Sequence, residues 1–405
     1  MNNETIIKMG QEYVMNTYLR QPFALVRGQG SYVWDADGNK YLDMVSGIAV
    51  NNVGHCHPKV VEAIQKQAQE LLHCSNLYWI EPQVQLAKLI TDHSCGTKVF
   101  FCNSGAEANE GAIKLARKWA SKKYGSGRYE IITALHSFHG RTLTALTATG
   151  QEKYQKGFEP LTPGFKYVPY NDLEAMKEAI TPQTCAILLE PLQGEGGVYA
   201  AMPEYMAGVK KLCEEHGLLL IFDEVQTGLG RTGKLFGYEH YGIEPDVFTL
   251  AKGLGGGVPI GAVVAKGEAA ETFSPGEHAS TFGGNPLATA AAIAALSAII
   301  DEKMPQQAFE KGQYITEKFL ALKEVHSCIQ DVRGLGLLVG MELSFEAKPV
   351  QDYCLKKGII INTVQNKVVR LVPPLNIPYE DIDKCIAVIA ESLKVIEEER
   401  AWKGQ

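Results

Sequence analysis

The sequence predicts an α/β fold: a large domain built on a mainly parallel sheet with helices on both faces, and a smaller α+β domain after it. Three observations carry that expectation. Near-continuous apolar runs alternate with amphipathic segments through the middle of the chain, the pattern of strands buried on both faces by covering helices. The 40 glycines gather at the corners between those segments, with no internal repeat. From residue 311 onward the pattern changes to short strands between helices. Residues 1–50 are expected to join the small domain, 51–310 to form the large one, and 311–405 to form the small one.

After an opening helix, residues 31–43 read as a hairpin, with two alternating aromatic and apolar runs flanking a turn at Asp37-Gly38. Helical spacing follows over 58–72, with Pro58 suited to the first helical position. Lys98–Cys102 is a buried strand, 106–123 a helix, and Tyr129–Ala134 a strand. Cys185–Glu190 precedes a helix over 203–216. Leu218–Phe222, Val247–Ala251 and Gly261–Ala265 are further buried strands, and the Ala-rich run Leu287 to Ile300 is a buried helix. In the last part, Leu337–Leu343, Gly358–Thr363 and Val368–Val372 are short strands between helices over 346–357 and 379–399.

Composition narrows the function. At 45% hydrophobic and 21% charged residues the chain has the balance of a globular protein. A net charge of −7 argues against a nucleic-acid or anionic-membrane binder, which needs a basic surface. No apolar stretch approaches the ~20 residues that span a bilayer. The start, Met1 to Gly10, lacks the basic-then-apolar pattern of a secretory signal. Nine cysteines without any CxxC spacing suit reduced thiols in a cytoplasmic enzyme better than a disulfide framework or a zinc site. Gly54-His55-Cys56-His57-Pro58 has two histidines but no further ligand nearby, so no metal is expected.

Gly228-Leu-Gly-Arg-Thr-Gly233-Lys234 satisfies two phosphate-binding patterns at once. The dinucleotide pattern needs a helix directly after the glycines, and the next residues are short and aromatic. The triphosphate pattern needs Ser or Thr after the lysine to hold magnesium, and Leu235 stands there. Asp223 and Glu224 just upstream would repel a pyrophosphate. A glycine-rich loop near an active site is the better reading.

The stronger signal surrounds that loop. The strand ending at Phe222 stops at Asp223, and ligands gather at the carboxyl ends of strands in open α/β sheets. The strand ending at Ala251 stops at Lys252 and enters Gly253-Leu-Gly-Gly-Gly257. A strand-end lysine is most often a surface charge, and a strand-end aspartate most often a cap. Together, a desolvated lysine able to form a Schiff base and a carboxylate able to hold a ring nitrogen suggest pyridoxal phosphate. Asn103-Ser104-Gly105-Ala106-Glu107 lies where a strand becomes a helix, as a phosphate cup requires; a plain Ser cap reads equally well. Phe138 follows another strand and is available to stack on a ring.

These stretches resemble the class III (fold type I) pyridoxal-phosphate aminotransferases, and within them the acetylornithine branch. The similarity runs from about residue 20 to 375. It is carried by Phe222–Gln226 through Lys252-Gly253, by Asn103–Ala108, by Glu190-Pro-Leu-Gln-Gly-Glu195-Gly-Gly and by Ser280-Thr-Phe-Gly-Gly-Asn-Pro286. The resemblance implies that Lys252 binds the cofactor aldehyde and later shuttles the substrate proton, while Asp223 pairs with the ring nitrogen. It implies Gln226 on the phenolic oxygen, Val225 and Phe138 on the two ring faces, and Ser104, Gly105 and Ala106 around the phosphate. Thr281 would reach that phosphate from the other subunit of a homodimer.

The same resemblance implies substrate roles. Arg141 would clamp a carboxylate in a bidentate fork, and Ser280 stands at the position associated with the acylated substrate. Arg370 would be a second carboxylate-binding arginine, with Glu195 pairing to it when no second carboxylate is present. One pocket could then take an ω-amine and afterwards a dicarboxylic oxo acid. The implied reaction moves the terminal amino group of N2-acetyl-L-ornithine to 2-oxoglutarate, in arginine biosynthesis. The resemblance also extends the expected amines to N-succinyl-diaminopimelate, with ornithine or 4-aminobutyrate transamination the alternative.

Overall fold

The computed structural model describes residues 1–403. Its strands, in chain order, are β1 (Leu25–Gln29), β2 (Tyr32–Asp35), β3 (Lys40–Asp43), β4 (Lys98–Cys102), β5 (Glu130–Ala134), β6 (Phe165–Val168), β7 (Thr184–Leu189), β8 (Leu192–Gln193) and β9 (Tyr199–Ala200). They continue as β10 (Leu219–Asp223), β11 (Val247–Leu250), β12 (Gly261–Ala265), β13 (Ile329–Leu335), β14 (Leu338–Leu343), β15 (Ile359–Ile360), β16 (Asn362–Val364) and β17 (Val368–Leu371).

The central sheet has the order β4-β12-β11-β10-β7-β5-β6. Only β12 runs against its neighbours; the other pairs are parallel, as the continuous apolar runs implied. Side chains leave a strand alternately to either face, and both faces here are apolar. Ile132, Ile187, Leu189, Leu220, Phe222 and Phe248 join one core, while Ile131, Ala186, Leu188, Leu219, Ile221 and Val247 join the other. The helix Gly105–Tyr124 covers the second face with Ala108, Ala112, Ala116 and Ala120, and these small side chains let it approach closely. At Gly111 an added Cβ would stand 2.9 Å from Val263 Cγ2. The helix Pro286–Asp301, alanine-rich as the sequence suggested, is buried against the first core.

Two smaller sheets flank this core: β1-β2-β3-β15 near the N-terminus, and the antiparallel β13-β14-β17-β16. The run Gly358–Thr363, expected as one strand, is divided between them. Ile359 and Ile360 run parallel to β3, whereas Asn362 to Val364 pair with β17. Apolar patterning marks a buried strand but carries no address for its partner, so the break at Ile361 is invisible in sequence. The helix Met304–Val325 also has no counterpart in the sequence reading, because its buried stripe is narrow (Ala308, Gly312, Ile315, Phe319). No helix among the described residues is long and apolar enough to cross a membrane.

Candidate active site

The parallel strands all end on one edge of the central sheet, and a cavity of about 460 Å³ opens there. Its walls include Ser104, Gly105, Ala106, Phe138, Arg141, Glu195, Asp223, Val225, Gln226 and Lys252. Residues up to 148 positions apart in sequence thus meet because each follows the carboxyl end of a strand or sits on a loop beside one.

Lys252 begins a short 3-10 turn directly after β11, with φ at +44°, a left-handed backbone that side chains beyond glycine rarely adopt. The residue is half-buried in the cavity wall, and its amine has no hydrogen-bond or ion-pair partner among the described residues. Burial pulls its pKa below the ordinary lysine value, against the opposing pull of Glu195. A lysine amine whose neutral form is made easier to reach by burial is a candidate nucleophile for an aldehyde.

Asp223, the last residue of β10, is buried under a hydrogen-bond network. Its Oδ2 accepts from Asn109 Nδ2 at 2.8 Å and lies 2.8 Å from His139 Nδ1, and its Oδ1 accepts from the Val225 amide at 3.0 Å. Asn109 is held in turn, donating to the His139 carbonyl at 2.7 Å and accepting from Thr249 Oγ1 at 2.9 Å. The sequence reading overlooked Asn109 and Thr249. Each was signalled as a polar residue in an apolar setting, Asn109 on the Ala face of its helix and Thr249 inside the run Val247–Leu250.

Ser104 caps the helix Gly105–Tyr124, its Oγ accepting from the Glu107 amide at 3.1 Å. The Ala108 amide takes the Ser104 carbonyl at 3.0 Å, which leaves Gly105 and Ala106 with first-turn amides at the open, positive end of the helix. A Cβ on Gly105 would stand 2.7 Å from Val225 Cγ1, so glycine lets the helix start lie against that wall. A dianion suits this corner and a planar ring suits the space between Val225 and Phe138.

Arg370, on β17, is buried rather than a surface charge. Its NH1 donates to Glu195 Oε1 at 2.6 Å and to Gln226 Oε1 at 3.4 Å. Burial pushes the Glu195 carboxyl up, but Arg370 and Lys252 outweigh it and hold the group below the usual carboxylate range. Glu190 was quoted only as part of a motif, yet it lines the same cavity and accepts from the Phe138 amide at 3.2 Å. Burial, then the Asp223 charge, holds its carboxyl well above the usual carboxylate range. Its signal was the one that singled out Asp223, a carboxylate closing an apolar strand.

Arg141 is exposed at the cavity mouth, its guanidinium 4.0 Å from the Tyr154 ring centroid. Ser280 lies outside the cavity wall, where its Oγ accepts from Asn103 Nδ2 at 3.2 Å and from the Gly283 amide at 3.0 Å. Thr281 is exposed and does not line this cavity. No cluster of three or more His, Cys, Asp or Glu side chains among the described residues could hold a metal.

Glu224 carries no chemistry but braces the loop behind the site. It is fully buried and accepts from Thr227 Oγ1 at 2.6 Å and from the Gly237 and Tyr238 amides at 2.9 and 2.8 Å. Burial raises its pKa to about 7 from 4.5. A raised folded-state pKa contributes stability that is complete below the unfolded value and is lost as pH climbs through the folded one. Glu224→Gln, which cannot titrate and presents one acceptor fewer, is therefore expected to melt lower than the parent at pH 5 and to narrow that gap by pH 8. A gap that stays constant across that range would contradict this.

The model of the family "Aminotransferase class-III" matches residues 13–393. The acetylornithine aminotransferase of Caldanaerobacter subterraneus subsp. tengcongensis is 58% identical over 392 residues, covering 96% of this chain and all of that protein. That of Methanocaldococcus jannaschii is 53% identical, covering 96% of this chain and 98% of its own. Among solved structures, the ornithine aminotransferase from Toxoplasma gondii ME49 matches with a TM-score of 0.94 at 34% identity, covering 98% of this chain and 96% of that one. Acetylornithine aminotransferase from Elizabethkingia anophelis matches at 0.87 and 35%, covering 97% and 99%. With a match across nearly its whole length, and a cavity furnished for phosphate, ring and aldehyde, the chain belongs to the class-III aminotransferases and is a pyridoxal-phosphate-dependent transaminase.

Proposed function

We propose that the protein moves the terminal amino group of N2-acetyl-L-ornithine to 2-oxoglutarate, giving N-acetyl-L-glutamate 5-semialdehyde and L-glutamate, a step of arginine biosynthesis. The observation that carries this reading is the ion pair of the buried Arg370 with the half-buried Glu195, beside Gln226. The two substrates differ in one respect that matters there. The amine's reacting carbon bears no carboxylate, whereas the reacting carbon of 2-oxoglutarate has one attached. Glu195 neutralises Arg370 while the amine is bound, and yields it to the oxo acid. Arg141, at the mouth, takes the remote carboxylate that both substrates carry. The choice of the acetylated amine is supported by the names of the full-length relatives.

When bound, pyridoxal phosphate supplies an electron sink for the pair released at the reacting carbon. In this reading the chain's own groups do the rest. Gly105 and Ala106 hold the phosphate with helix-start amides. Asp223, oriented by Asn109 and His139, holds a proton on the ring nitrogen. Gln226 donates to the phenolic oxygen, while Val225 and Phe138 restrain the ring from its two faces. Lys252 anchors the aldehyde and carries a proton to and from the reacting carbon.

The reading extends to a homodimer in which Thr281 and Ser280 complete the neighbouring subunit's site. Thr281 is exposed on its own chain, and it lies beside an uncovered apolar patch. There Phe282 is 60% exposed, Leu77 86% and Trp79 94%, with His73 and Phe282 in ring contact at 5.1 Å. Patches of this kind mark interfaces.

The test is a half-reaction titration. The purified holoenzyme is mixed separately with N2-acetylornithine, ornithine and 4-aminobutyrate, and the near-visible absorbance of the lysine-bound cofactor is followed. A kcat/KM at least about tenfold higher for the acetylated amine is expected, a factor worth ~1.4 kcal/mol. Preference for a free amine would keep the chemistry and overturn the substrate.

A further inference from the structure

The glycine motif Gly228–Gly233, which holds no phosphate in the site described above, has another use. Its Arg231 is completely buried, and no carboxylate pairs with it among the described residues. Its guanidinium instead forks across three segments. NH1 donates to the carbonyls of Leu337 at 2.8 Å and Pro373 at 2.6 Å, and NH2 donates to Asn52 Oδ1 at 2.7 Å. The Leu337 amide returns a bond to the Arg231 carbonyl at 3.0 Å. Asn52 is tied on both sides: its Nδ2 donates to the Leu229 carbonyl at 3.0 Å, and its carbonyl accepts from the Leu375 amide at 2.8 Å.

Two of those segments bear on the site. Pro373 lies three residues after Arg370, just past the end of β17, and Leu337 immediately precedes β14, whose Gly340 pairs with Arg370. Asn52 packs against the residue after Lys252 so closely that a Cβ on Gly253 would stand 2.5 Å from Asn52 Nδ2. The glycines let the loop turn tightly enough to deliver the arginine: Gly230 and Gly233 have φ of +88° and +94°, and a Cβ on Gly336 would press to 2.4 Å from the Thr232 carbonyl carbon.

We propose that Arg231 is the positioning residue of the subsite for the carboxylate beside the reacting carbon, clamping the strands around Arg370 to the segment that abuts the Lys252 loop. The inference rests on the two-substrate reading given above. A fork with fixed planar donors meets three carbonyl oxygens in three directions, a job a single ammonium cannot reproduce. Burial, and then the nearby Arg370 charge, both work against its protonated form. A merely structural cation would more simply be a hydrophobic residue; here the charged group stands where two chain segments must keep register with the site.

The experiment compares substrates that differ at the reacting carbon. Arg231→Lys and Asn52→Ala holoenzymes, shown folded by melting and by cofactor absorbance, are assayed in half-reactions with L-glutamate, whose reacting carbon bears a carboxylate, and with N2-acetylornithine, whose reacting carbon does not. The ratio of kcat/KM for glutamate over the acetylated amine is expected to fall about tenfold in Arg231→Lys, as a small misplacement of a clamping group produces. A smaller fall in the same direction is expected in Asn52→Ala, which keeps both carbonyl bonds of Arg231. Calorimetry with glutarate, an unreactive dicarboxylate, should show weakened binding to match. Proportional losses with both amines, or an unchanged ratio in either variant, would overturn the proposal. If the parent enzyme does not use glutamate, the two-substrate reading falls first and takes this inference with it, an outcome read from the parent alone.

Discussion

Lys252→Ala is expected to abolish turnover, with a loss of at least about 10⁴-fold, since the position serves as both covalent anchor and proton carrier. Two features lead to that expectation. The amine is aimed into the cavity without a partner, and its desolvation lowers the cost of the neutral form. The variant should fold, because removing an unpartnered amine from an enclosed wall takes away no hydrogen bond. Its near-visible absorbance should shift from that of the lysine-bound cofactor to that of the free aldehyde. Added small primary amines should restore part of the proton transfer, because the space vacated by the side chain adjoins the cavity. Appreciable turnover without such an amine would remove Lys252 from its proposed role.

Asp223→Asn is expected to slow the half-reaction by about 10² to 10³-fold, the range seen when a preorganised electrostatic partner is removed. The neutral amide cannot keep a proton on the ring nitrogen, and the network makes matters worse. Both Asp223 oxygens accept: Oδ2 from Asn109 with His139 at the same distance, Oδ1 from the Val225 amide. Whichever way the asparagine is turned, its NH₂ confronts a donor, at a cost of ~1–3 kcal/mol for the unmet buried group. Stopped-flow absorbance with the amine donor measures the rate, and thermal melting measures the second effect. A half-reaction near the parent's rate would sink the assignment.

The two variants lie on parts of the chain that were readable early. Asp223 and Lys252 each close an apolar run, and a charged residue at the end of a buried strand shows in the sequence without knowledge of the fold. Ser104 and Gly105 were likewise visible as a cap followed by a close-approach glycine. The supports around them were harder to see. Asn109 and His139 converge on Asp223 from 114 and 84 positions away, and nothing local distinguishes a polar side chain bound for the core from one bound for water. Glu195 and Arg370, 175 positions apart, could be paired beforehand only through a family resemblance. Arg231 was visible only as part of a glycine-rich loop near an active site; its three carbonyl partners come from residues 52, 337 and 373.

By itself the sequence determined the alternation of buried strands and helices, the mainly parallel character of the central sheet, and the strand ends at which reactive groups stand. Those follow from apolar periodicity and from the chain chemistry of its corners, which act over a few residues. Only the tertiary structure decided which strand pairs with which, that Gly358–Thr363 serves two sheets, and that Arg370 is buried against Glu195. Such choices depend on contacts between distant segments, where burial makes an unpaired charge costly and so selects the partner that lies nearest in space rather than in sequence.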